Sequence, residues 1–238
     1  MNVEGKVVLI TGAAGALGHV VAHRFGDAGA RLVLVDNRPD RLAELCNDLK
    51  ENYGALLIGN TDVTNPRSVG KMVEMVIRER ERIDILLNLV GGYRAGPPVH
   101  ETPPEVWDFL MNLNAKSVFL VAGAVIPHMI EQGGGKIISI SAKPALQGTK
   151  GHGVYSAAKA AVIRLTEAMS AELKDHNINV NCVLPSIIDT PANRQEMPKA
   201  DYSKWVSPEA LADVLLFLAS DASRTIHGAA IPVYGRAG

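Results

Sequence analysis

The chain has 238 residues, 24 Lys plus Arg against 25 Asp plus Glu, and 47% hydrophobic residues. That is enough apolar chain for one compact α/β domain, while the charge balance excludes broad nucleic-acid binding, which rests on phosphate neutralisation. Two cysteines, Cys46 and Cys182, make no disulfide framework, and no apolar run reaches the roughly 18 residues of a membrane span, so a soluble, cytoplasmic protein with free thiols is expected.

The first residues pass straight into a β-branched run at 6–10, so no secretory leader is expected. A glycine-rich turn, Thr11-Gly12-Ala13-Ala14-Gly15-Ala16-Leu17-Gly18, then opens a helical pattern at 15–28. Further strands are expected at 31–35, 55–59, 83–89, 136–140, 179–183 and 230–233. Helical patterns at 39–52, 66–82, 104–130, 154–175 and 208–219 alternate with them. Asp40, Asn65-Pro66 and Thr102-Pro103-Pro104 supply helix-start chemistry to three of these helices. Strands apolar throughout and separated by helices predict a single Rossmann-type domain over 1–238, a doubly wound parallel sheet with helices on both faces. Only the stretch before Pro208 lacks periodicity. Its Pro, Asn, Asp and Lys content reads as a loop with a short helix, a substrate lid around 186–207.

Chemistry concentrates at a few points. Gly12, Gly15 and Gly18, with Ala14 and Leu17 between them, permit a tight turn and close approach of backbone to a pyrophosphate at a helix N-terminus. Asp36, followed by Asn37, ends the second strand 18 positions after Gly18. A carboxylate there bonds ribose hydroxyls and repels a 2′-phosphate, which favours NAD over NADP, although Arg38 stands close enough to hold that phosphate. Tyr155 and Lys159 are four apart on a helix and share a face. The ammonium favours the phenolate, so Tyr155 can exchange a proton with a substrate oxygen while hydride moves to or from a nicotinamide. Ser141, ending the fifth strand, could bond the same oxygen, whereas Ser139 lies deeper and reads as structural.

Other candidates carry less. His19 and His23 share a helical face but lack the intervening Glu and third ligand of a zinc site, so no metal is expected. His152 precedes Tyr155 by three and reads as a loop histidine near the active-site mouth. Tyr202 and Trp205 could close over substrate or anchor the end of the lid, and Asn193 and Arg194 could present polar groups to it.

The glycine turn together with Tyr155-Ser-Ala-Ala-Lys159 closely resembles the short-chain dehydrogenase/reductase family, and the resemblance covers almost the whole chain. It implies an adenine-contacting pair at Asp62-Val63. It implies cofactor contacts at Asn88, Val90 and Gly91, where Leu89 replaces the family's second Asn. Pro185-Ser-Ile-Ile-Asp-Thr190 resembles the segment lining the nicotinamide, so Pro185, Ile188 and Thr190 become cofactor contacts, with Ser186 in place of glycine. Asn114 falls where the family keeps a catalytic asparagine holding a relay water, and Lys159 would also bind the nicotinamide ribose. Ser141 stands 14 positions before Tyr155 where 13 is usual and Ala142 occupies the usual place, so the serine's role requires a loop one residue longer.

The resemblance also implies pairing of helices 104–130 and 154–175 between subunits, giving a homodimer or homotetramer. The expected activity is an NAD(P)-dependent alcohol dehydrogenase or ketoreductase acting on a small polar secondary alcohol or ketone. The competing readings are an NADPH-dependent reductase of 3-oxoacyl thioesters and a non-catalytic dinucleotide-binding sensor.

Overall fold

The computed structural model describes residues 1–237. Its strands are β1 Val7–Thr11, β2 Arg31–Val35, β3 Leu56–Ile58, β4 Ile85–Asn88, β5 Gly135–Ile140, β6 Ile178–Pro185 and β7 Ala230–Val233. They form one parallel sheet in the order β3-β2-β1-β4-β5-β6-β7. Each lies within two residues of its expected position.

The helices are α1 Ala16–Asp27, α2 Pro39–Tyr53, α3 Pro66–Arg80, α4 Pro104–Met111, α5 Ser117–Glu131, α6 Gly153–Leu173, α7 Pro191–Glu196 and α8 Pro208–Ala219. Alternation along β1 shows why the strands are apolar throughout. Val8 and Ile10 face a core layer built with Phe25 of α1, Leu49 of α2 and Leu215 of α8. Val7 and Leu9 face the opposite layer with Met72 of α3, Val125 of α5 and Met169 of α6.

Local chemistry sets the helix starts. Asn65 accepts from the N–H groups of Arg67 (2.9 Å) and Ser68 (3.2 Å), and Ser207 accepts from Ala210 N–H at 3.1 Å. Such a cap contributes about 1 kcal/mol. Thr102 behaves differently: its hydroxyl bonds the carbonyls of Pro97 and Pro98, and Pro103 takes the cap position of α4 without a side-chain bond.

The helix expected over 104–130 is divided. A π-turn at Asn112–Lys116 separates α4 from α5. The span Pro104–Glu131 is also apolar enough to cross a membrane by length and composition, with mean hydropathy 1.6 over its best window, which the sequence reading had excluded. In the fold its buried stripe, including Val118, Val121, Val125 and Met129, lies in the protein core.

Strand order reverses direction at β1, whose two neighbours are β2 and β4. Crossovers there leave on opposite sides of the sheet, which opens a crevice beyond the carboxyl ends of these strands.

Candidate active site

That crevice is a cleft of about 380 Å³. It brings together Gly12, Gly15, Asp36, Asn37, Asp62, Val63, Val90 and Gly91 from the sequence reading, and adds Arg38, Thr61, Thr64, Leu89 and Leu113. Gly12 holds φ at +74°, in the left-handed region. A Cβ on Gly18 would lie 2.2 Å from the Gly12 carbonyl oxygen, so α1 can abut the turn only with hydrogen at that position. Gly15 caps α1 without a side chain, leaving its first-turn N–H groups open to an anion. This cradle fits the pyrophosphate of a dinucleotide.

At the adenosine end Asp36 is buried and held by two residues. One oxygen accepts from Ala14 N–H at 3.2 Å, and the Arg38 guanidinium bonds both oxygens at 2.9 and 3.2 Å. Asp62 is exposed and folds onto its own turn, accepting from Thr64 N–H and hydroxyl.

Several expected contacts stand outside the cleft lining. Leu17 packs against the core, and Asn88 is buried in the sheet with its amide donating to Ser139 Oγ at 3.3 Å. Pro185 ends β6, Ile188 bridges to Val206, and Thr190 caps α7 through Asn193 N–H.

The polar centre lies where β4, β5, the π-turn and α6 converge. Asn114 is fully buried; its Nδ2 donates to the carbonyls of Leu110 (3.0 Å) and Gly92 (2.9 Å), and its Oδ1 accepts from Gly92 N–H at 3.1 Å. The π-turn Asn112–Lys116 carries Asn114, whose amide reaches back one turn to the Leu110 carbonyl. Lys159 is buried as well, donating from Nζ to the Ile140 carbonyl at 2.9 Å. A Cβ on Gly91 would stand 3.0 Å from both Asn114 Oδ1 and Lys159 Nζ, so this glycine keeps the two groups facing one another. Burial pushes the Lys159 ammonium down to about 8, and pushes the partly buried Tyr155 phenol up to about 12 with Tyr93 adding to the shift.

Ser141 departs from its expected role. It is 1% exposed, and its hydroxyl donates to the Lys159 backbone carbonyl at 2.8 Å. Its N–H bonds the Val183 carbonyl at 2.9 Å, continuing the β5–β6 ladder without a bulge, and Ala142 is extended at φ −163°. The longer loop that would turn Ser141 toward substrate is not formed at the strand end. Alternation puts Ser141 on the side of Ser139, against α6, and leaves Ala142 as the residue thirteen positions before Tyr155.

The mouth of the site holds a pair that sequence reasoning missed or undervalued. Tyr93, two residues beyond Gly91, sets its ring edge-on against Tyr155 with centroids 5.1 Å apart, and its hydroxyl lies 2.8 Å from His152 Nε2. The signal in the sequence was the Gly91-Gly92-Tyr93 that follows β4. Arg194 and Asn193, expected to greet the substrate, are engaged within the lid. Arg194 forks onto Asp189 at 2.6 and 2.7 Å and stacks on Tyr202, while Asn193 donates to the Ile188 carbonyl. Trp205 is buried against Tyr202 and anchors the lid's end. His23 pairs with Asp48 at 3.2 Å, with His19 edge-on to it.

Comparison with known proteins agrees with this geometry. The family model described as short chain dehydrogenase matches residues 6–201. A 3-oxoacyl-[acyl-carrier-protein] reductase of Thermotoga maritima is 35% identical, covering 99% of this chain and 98% of its own. An NAD+-bound xylitol dehydrogenase structure superposes with a TM-score of 0.90 at 26% identity, over 98% of both chains. L-sorbose reductase of Gluconobacter frateurii, solved with NADPH and L-sorbose, gives 0.90 at 30% identity over 98% of this chain and 97% of its own.

Proposed function

The chain belongs to the short-chain dehydrogenase family of oxidoreductases, and on that premise we propose that it uses NAD(H) to interconvert a small polar secondary alcohol and its ketone. The observation carrying this reading is the convergence of Asn114 and buried Lys159 on either side of Gly91, with Tyr155 one helical turn from Lys159 on the same face of α6. A nucleotide-binding scaffold needs no such centre.

A nicotinamide held in the cleft would supply or take the hydride. Tyr155, whose phenol is pushed up to about 12, holds its proton at neutral pH and donates it to a carbonyl oxygen during reduction. In oxidation the Lys159 ammonium favours the phenolate that takes the alcohol proton. Lys159 itself, lowered to about 8, exchanges protons near neutral pH. Asn114 fixes the Gly91-Gly92 backbone beside Lys159 and frames the route by which that proton reaches solvent.

Asp36 supports NAD over NADP. Its partner Arg38 already carries a bidentate carboxylate, so an incoming 2′-phosphate meets a buried anion rather than a free cation. Gly12, Gly15 and the α1 N-terminus take the pyrophosphate, Asp62 and Val63 flank the adenine, and Lys159 reaches the nicotinamide ribose. Pro185, Ile188 and Thr190 stand at the foot of the lid, 186–207, which closes over a compact substrate. Exposed Trp107 of α4 and Phe119 of α5 offer an apolar face for a second copy, so a homodimer or homotetramer is the proposed assembly.

Calorimetric titration tests the cofactor assignment. NAD+ should bind at least tenfold more tightly than NADP+, and Asp36→Ala, which releases Arg38, should narrow or reverse that ratio. Equal affinities in the wild type would show that Arg38 outweighs the carboxylate. Turnover of a long-chain 3-oxoacyl thioester with NADPH, and none of small alcohols, would favour the reductase reading instead.

A further inference from the structure

We infer that the Tyr93 hydroxyl, oriented by His152, recognises a second hydroxyl beside the reacting carbinol, so that the site selects vicinal diols and polyols over monohydric alcohols. The inference rests on Tyr155 as the group that touches the reacting oxygen.

Position comes first. Tyr93 is 49% exposed, and its ring is perpendicular to that of Tyr155 (89°). His152 precedes α6 by one residue and lies one helical turn ahead of Tyr155. A substrate whose oxygen meets Tyr155 therefore presents its neighbouring carbon near the Tyr93–His152 pair. Ser141 is committed to the Lys159 carbonyl and Ala142 has no donor, so Tyr93 brings to Tyr155's side a hydroxyl that neither supplies.

The direction of the hydrogen bonds sets the chemistry recognised. His152 Nδ1 lies 3.0 Å from the Lys150 carbonyl and 3.1 Å from the Thr149 hydroxyl; the carbonyl can only accept and the hydroxyl can do so as well, so a proton on Nδ1 satisfies both. In the neutral ring Nε2 is then an acceptor, and the Tyr93 O–H donates to it at 2.8 Å. The Tyr93 oxygen is left with lone pairs, and the complement to a lone pair is a donor such as a carbinol O–H. Burial, reinforced by the Glu196 carboxylate of α7, holds the Tyr93 phenol above its ordinary range and keeps it neutral. The same carboxylate repels anionic substrates, so a neutral polyhydroxy compound suits the mouth better than a phosphorylated carrier.

The test compares butane-2,3-diol with butan-2-ol, a matched pair differing in one hydroxyl, in NAD+-dependent oxidation. Wild type should favour the diol about tenfold in kcat/KM, the effect of one well-placed hydrogen bond. Tyr93→Phe should lower kcat/KM for the diol about tenfold more than for butan-2-ol, chiefly through KM. His152→Ala should reproduce part of that loss, and His152→Gln, whose Oε1 can accept from Tyr93, should restore it. Titration of the NADH-saturated protein, which cannot take hydride from an alcohol, with the same two alcohols reads the contrast without turnover.

No diol preference in the wild type, in kinetics or in binding, overturns the inference, as does a preference that survives Tyr93→Phe. Full activity of Tyr155→Phe would instead remove the catalytic reading, a separate outcome that leaves the binding contrast to be judged by itself.

Discussion

The Ser141 hydroxyl donates its proton to the Lys159 carbonyl, across 2.8 Å, tying the end of β5 to the helix that carries Tyr155. With that proton committed, we propose that Ser141 positions α6 rather than steadying a substrate oxygen. Ser141→Ala should remove a second hydrogen bond from a carbonyl that still accepts from the N–H one turn on in α6, at a cost of about 0.5–1.5 kcal/mol measured by denaturant unfolding. Its kcat should fall far less than the roughly hundredfold that accompanies loss of an oxyanion donor. Ala142→Ser should raise kcat by supplying the donor the site lacks. A hundredfold loss in Ser141→Ala with unchanged stability would return the catalytic role to Ser141.

Gly91 offers a second test. An added methyl at 3.0 Å from both Asn114 Oδ1 and Lys159 Nζ forces one of them to move. The Lys159 end is the more mobile of the two, since Asn114 is fixed by three hydrogen bonds. Gly91→Ala should therefore fold, with its melting temperature little changed, and lose at least tenfold in kcat. Wild-type turnover would mean that the Asn114–Lys159 juxtaposition is not part of the chemistry.

Lys159 also makes stability depend on pH in a defined direction. The folded protein binds its proton near pH 8, the unfolded chain at its ordinary 10.5. Between these values the unfolded state holds more protons, so the folded state gains stability as pH rises, by up to about 1.4 kcal/mol per unit. Lys159→Met lacks this gain. Thermal unfolding of both proteins between pH 7 and 10 should show the wild type improving relative to the variant through that window; a constant difference would contradict a buried ammonium.

Much of this was legible in the sequence because the signals were periodic or local. The apolar runs placed all seven strands, and short-range spacing was enough to nominate Gly12, Asp36, Tyr155 and Lys159 as candidates. What escaped depended on contacts between elements. The π-turn around Asn114 is invisible to periodicity, since one residue of slip leaves the helical pattern intact. The orientation of Ser141 was set by whether the strand end bulged, a matter decided by its bond to Val183 on β6. Arg194 looked available for substrate until Asp189, five residues back, claimed it. Tyr93 gained meaning only when folding brought His152, 59 positions away, to its hydroxyl.

The central claim is that Tyr155 transfers the substrate proton, and Tyr155→Phe tests it most directly because phenylalanine keeps the ring packing against Tyr93 and removes only the hydroxyl. Turnover of a secondary alcohol followed as NADH absorbance, alongside calorimetric NAD+ affinity on the same preparation, separates chemistry from binding. The account expects kcat to fall to near the detection limit while the NAD+ dissociation constant stays within a few-fold of wild type. A Tyr155→Phe enzyme that turns over at the wild-type rate would contradict it.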